Sequence, residues 1–239
     1  MRFRSKPKSF LDAARRDWQF AAFSWLLRHC GGYAKFLETT LVLPTEEHFP
    51  DRGMKGHAAV AALFHRARDH AGMADWPCMV EREPEEPEVS AIPADGIRVF
   101  TYKRGALDPV KLVAGFACDL SRYLIDTFDE PPPGGEAARE AMVELGAVFI
   151  GFGVFLANSS VRQASYQLSE GELAHALALF CRLSDLAPEA LDAHLNPHLR
   201  KYLRLASVEL AGHDLQFRAL RATQSALIYG VGKGTNTSA

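Results

Sequence analysis

The chain has 239 residues, of which 48% are hydrophobic and 10% aromatic, enough to bury a full core as one large domain or two closely joined ones. Its 27 basic and 29 acidic residues leave a formal charge of −2, which excludes a global field drawing it to nucleic acid or anionic lipid. Cys30, Cys78, Cys118 and Cys181 are scattered and form no C-x-x-C pair, which argues against a zinc knuckle and a disulfide framework.

The start is locally basic, with Arg2, Arg4, Lys6 and Lys8, but it carries no aromatic platform and reads as a solvated terminus. Asp12, Arg15, Arg16 and Asp17 interrupt any apolar run that a secretory leader would need, so a cytoplasmic location is expected. Residues 9 to 29 place Phe10, Ala13, Trp18, Phe20, Ala21, Trp25 and Leu26 at mostly helical intervals, and Gly31 and Gly32 stop the run. With Trp18, Phe20, Phe23 and Trp25 this helix is apolar on more than one side. A second face is therefore open to a protein partner or a second copy of the chain, the alternative being core packing.

"LETTLVLP", residues 37 to 44, is rich in β-branched residues and suits a short strand ended by Pro44; "TEEHFPDRG" follows as a loop. Residues 56 to 73 predict a helix, and "WPCMVE" a strand. "REPEEPEVSAIPADG" is acidic and proline-bearing and predicts a flexible loop before the strand "IRVFTY", residues 97 to 102. Pro109 opens a helix to about Phe128, "DEPPPGGE" breaks it, and the next helix runs from about Ala137 to Asn158. Its run "LGAVFIGFGVFLA" is too short to span a bilayer behind Glu144, and it predicts a helix buried on all sides whose glycines admit neighbouring backbones closely. Two further helices are expected at about 169 to 186 and 188 to 211. The expected organisation is a single globular domain over 1–230, with a sheet-containing part at 36–103 and a helical part at 104–230, then a flexible tail at 231–239. No cofactor, nucleic acid or membrane is expected.

Three stretches come near a metal-hydrolase pattern. "GELAH", residues 171 to 175, lacks the first histidine of H-E-x-x-H, and Ser169 with Glu172 has the spacing of a capping box, which accounts for Glu172 without chemistry. His48, His57, His65 and His70 contain no i, i+4 ligand pair. The third is "GFACDLSRYLI", residues 115 to 125. Here Val113, Ala117, Leu120 and Leu124 make one buried stripe with Phe116 and Tyr123 beside it, while Cys118 and Arg122, four apart, share another face. Glu144 follows in the next helix, where a carboxylate is costly unless paired, and the proline-rich break lets the two helices return as a hairpin.

The order of strand "IRVFTY", Pro109, the Cys118 to Arg122 quintet, "EPPPGGE" and "ELGAVFIGFGVFLAN" resembles an uncharacterised group of bacterial zincin-like proteins. The order of elements matches over roughly 40 to 185, in detail over about 97 to 160. The resemblance implies an α+β, mainly helical fold with a zincin-like core, a small sheet in the first half and a helical C-terminal half. It places Cys118 and Arg122 at the two histidine ligands, Asp119 at the general base and Glu144 at the acidic third ligand. Cysteine can ligate zinc, but a guanidinium has no lone pair to offer, and aspartate carries its carboxylate on a shorter stem than the base requires. The resemblance thus implies a degenerate site, with Arg122 in the cation's place between Glu144 and Asp119 as a structural ion pair. The protein is expected to be a non-catalytic binding or structural module. The alternative is a metal-dependent hydrolase recruiting His48 or His57 to Cys118 and Glu144. A nucleophilic Cys118 lacks an identifiable histidine base.

Overall fold

The computed structural model describes residues 9–51, 53–84, 96–103, 105, 108–160 and 166–226. Helix α1, Ala13–His29, starts where Asp12 accepts from the Arg15 backbone N–H and ends before Gly31 and Gly32, whose φ angles of +94° and +82° break the helical path. Its aromatic residues do not leave a second face for a partner. Phe23 meets Phe149, Trp25 meets Phe128, and Phe20 meets Phe217, so both sides face core. A short α2, Gly32–Phe36, leads into residues 37–44, where the expected strand is absent. Val42 is fully buried and donates its N–H to the Gly151 carbonyl at 2.9 Å. That partner belongs to a helical segment, so the β-branched residues pack extended across it without a ladder to join.

Helix α3, Gly56–His70, and helix α4, Pro109–Ile125, lie against a two-stranded parallel sheet of β1, Cys78–Arg82, and β2, Arg98–Tyr102, paired with Cys78 opposite Arg98 and Arg82 opposite Tyr102. Phe64 of α3 touches both Phe100 of β2 and Phe116 of α4, at 5.6 and 5.3 Å between ring centres, and so ties the sheet to the helices. The connection between the strands, expected to be flexible, falls largely outside the described residues.

Beyond the turn, where Trp18 Nε1 donates to the Pro133 carbonyl at 2.8 Å, α5, Arg139–Ala147, packs back along α4 as the hairpin anticipated. A wide π-helical turn, Val148–Phe152, joins it to α6, Gly153–Ser160. The span Glu136–Ser159 is long and apolar enough to cross a membrane, yet 94% of its most apolar window is buried inside the protein. Of the glycines expected to admit neighbouring backbones, Gly151 does so, while Gly146 and Gly153 make room for side chains. A Cβ on Gly146 would stand 2.3 Å from Ser121 Oγ, and one on Gly151, whose φ is +102°, 2.2 Å from the Thr40 carbonyl oxygen.

Helix α7, Glu170–Leu183, begins with the expected capping box, in which Ser169 and Glu172 bond each other's backbone N–H groups. The next helix, α8, Pro197–Leu210, starts nine residues later than anticipated from 188, because residues 188–191 form only a single 3₁₀ turn and Pro197 opens the helix proper. A last helix, α9, Asp214–Arg221, was not anticipated; it buries only Phe217 and Leu220, too few positions to show a period. Residues 231–239, expected as a flexible tail, lie outside the described residues. The fold is α+β and mainly helical, around a core that runs from Phe20 of α1 to Leu220 of α9.

Candidate functional site

The α4 and α5 hairpin brings the predicted residues onto one side of the molecule. Of the expected stripe, Val113, Ala117 and Leu120 are buried and Leu124 is half-buried, with Phe116 buried beside them, and Ser121 Oγ donates to the Val143 carbonyl at 2.8 Å, drawing the helices together over Gly146. Cys118, Asp119 and Arg122 are half-buried along the other face of α4, and Glu144 is 5% exposed.

Arg122 does not sit between Glu144 and Asp119. Its guanidinium forms a two-pronged bond with Glu140, Nη1 to Oε1 at 2.6 Å and Nη2 to Oε2 at 3.0 Å. Glu140 lies one turn before Glu144 on α5 and nearer the surface, where a long charged side chain keeps contact with water. That i, i+4 relation was readable in the sequence, and Glu140 is the partner the sequence reading missed.

Glu144 has found donors in the main chain. Oε1 accepts from the Gln167 N–H at 2.7 Å and Oε2 from the Leu168 N–H at 2.8 Å. Burial raises its pKa, and these two N–H groups act against that rise by favouring the charged form. The carboxylate therefore holds the segment that enters the Ser169 cap and α7, a role no spacing rule predicts because the donors are backbone atoms.

Around Cys118 the groups are acids. Burial pushes its thiol up strongly, the Glu144 and Asp119 carboxylates push it further, and Arg122 offsets this only in part. The sulfur stays protonated at neutral pH, which disfavours it as a nucleophile. Asp119 is raised to about 6, mainly by burial, with Arg122 and Arg98 acting in the opposite direction. Both arginines make their bonds elsewhere, Arg122 to Glu140 and Arg98 to Asp126. The Tyr166 hydroxyl, raised by burial and then by Cys118 and Glu144, borders the same region.

The histidines of the alternative set are engaged away from this face. His48 Nδ1 is 3.0 Å from the Thr45 hydroxyl and its ring lies tilted against His70, while His57 Nδ1 is 3.0 Å from the Tyr102 hydroxyl. Among the described residues no group of three or more histidine, cysteine, aspartate or glutamate side chains is placed to hold a metal ion. Among the described residues, Cys118 and Glu144 therefore form no metal-holding group with His48 or His57. His175, the histidine of "GELAH", is fully buried with Nδ1 2.7 Å from Gln19 Oε1, and Gln19 in turn donates to the Glu172 carbonyl at 2.9 Å. Since an amide oxygen only accepts, Nδ1 carries the proton, and burial lowers the imidazole pKa to about 4.

No protein-family model matches the chain, and no curated protein or solved structure is significantly similar to it.

Proposed function

We propose that this protein is a non-catalytic binding or structural module with a degenerate zincin-like core. The observation that carries the reading is the engagement of Glu144. The residue matched to the acidic metal ligand accepts from the Gln167 and Leu168 N–H groups, one at each oxygen, and so fastens α7 to the α4 and α5 hairpin. Supporting it, Arg122 is committed to Glu140 and Cys118 is held as a thiol. On this reading Arg122 and Glu144 serve cohesion between elements.

Restoring the pattern tests the zincin-like part of the reading. Cys118→His, Asp119→Glu and Arg122→His together place imidazoles four residues apart on α4, facing α5. The triple variant is expected to gain one zinc per chain, lost again on adding Glu144→Gln. A variant that folds, by circular dichroism, and still binds no zinc would remove the zincin-like part and leave a helical module of other origin.

A further inference from the structure

A cavity of about 290 Å³ lies on another part of the molecule, between α2, the C-terminal ends of α3 and α4, and the π-helical turn. Phe36, Met73, Trp76, Leu124, Phe149 and Ile150 supply its apolar walls. Those walls are fixed before any ligand arrives. Phe149 is wedged between Phe23 and Phe36, at 5.7 and 5.1 Å, and Trp76 stands edge-on to Tyr123 at 4.8 Å, with the Arg98 guanidinium over the Tyr123 ring. The turn kinked at Gly151 presents Phe149 and Ile150 there.

The polar groups on the rim narrow the chemistry. Lys35 and Glu38 pair with each other at 2.5 Å, so the rim carries no net charge to attract an ion. Burial pushes the Cys30 thiol up to about 12, which leaves it an uncharged part of the wall. His70 is different. Its Nε2 lies 3.0 Å from the His48 carbonyl oxygen, which only accepts, so Nε2 is the donor there and Nδ1 is the ring nitrogen with no hydrogen bond among the described residues.

We infer that this cavity binds an uncharged aromatic molecule with one hydroxyl donor, about the size of two fused rings, its hydroxyl directed to His70. A dry apolar cavity of about half this volume suffices for benzene in another protein, which sets the size. Aromatic walls with a few placed polar groups are the usual make-up of a small-molecule site. The inference does not depend on the reading of the Cys118 face.

The test is calorimetric titration of the whole protein with 2-naphthol and with naphthalene, which lacks the hydroxyl. Saturable binding of 2-naphthol is expected, with naphthalene weaker by about five- to tenfold, the worth of one hydrogen bond. His70→Phe should bring the two to the same affinity, and Ala71→Leu, which adds volume at the cavity wall, should weaken both. The Met73 and Ile150 methyl resonances of the unmodified protein should shift on adding 2-naphthol, which keeps the test decisive even where a variant fails to fold. Absence of saturable binding, equal affinity for the two probes in the unmodified protein, or 2-naphthol shifts that spare both methyls would overturn the inference.

Discussion

A buried carboxylate needs either a cation or N–H donors, and Glu144 has two of the latter. Replacing it by glutamine keeps the shape but sets an amide N–H₂ against one backbone N–H, so Glu144→Gln should lower unfolding free energy by about 2 kcal/mol in urea titration. Arg122→Ala, by contrast, breaks a pair that is largely in contact with water and should cost under about 1 kcal/mol. Asp119 works the other way. Its pKa rises from 3.8 to about 6 on folding, so the unfolded chain ionises first and stability falls as pH climbs between those values. Asp119→Asn should therefore stabilise the protein by roughly 1–2 kcal/mol at pH 7, after allowance for solvent screening, and have no effect below pH 4. His175 is neutral in the fold, with a pKa of about 4 against 6.5 unfolded. Its contribution is fully present above pH 6.5 and is lost as pH falls through 4. Replacing it with glutamine should flatten the loss of stability over that window, and an unchanged slope would show that other groups govern the acid limb.

Among the elements, the joint between α5 and α6 bears the most specific constraint. Gly151 combines a positive φ with a backbone carbonyl where its Cβ would go, and neither can yield cheaply. Gly151→Ala should cost about 3 kcal/mol or more in thermal or urea unfolding, well above the roughly 1 kcal/mol expected for Ser169→Ala at the α7 cap. The cap, the hairpin and both paired strands were legible because each rests on local chemistry: a capping pair, a proline-rich break, a run of β-branched residues. Residues 37–44 carry the same β-branched signal, but their neighbour is a widened helical turn, so propensity found no strand to pair with. The start of α8 was misplaced because Pro188 and Pro197 both satisfy the rule for a first helical residue, and only the second is followed by a sustained apolar face.

Across the whole molecule, the face carrying Cys118, Asp119, Arg122 and Glu144 was located from spacing alone, since helical period and a hairpin suffice to bring two helices together. What each side chain bonds was less readable. Arg122 went to Glu140, one turn from the expected acid, and Glu144 went to main-chain atoms 23 and 24 residues away. Pairing across a fold depends on depth and reach, which a linear spacing does not encode. The central claim of the proposal is that this face completes no metal centre, because Arg122 has no lone pair to offer and Glu144 is bonded to the main chain. Zinc content per chain, measured by elemental analysis of protein purified without chelator and then equilibrated with zinc at neutral pH, tests it most directly. The account predicts no stoichiometric zinc and a melting temperature unmoved by zinc or EDTA. One zinc per chain, lost on Cys118→Ala or Glu144→Gln in protein that remains folded, would contradict it.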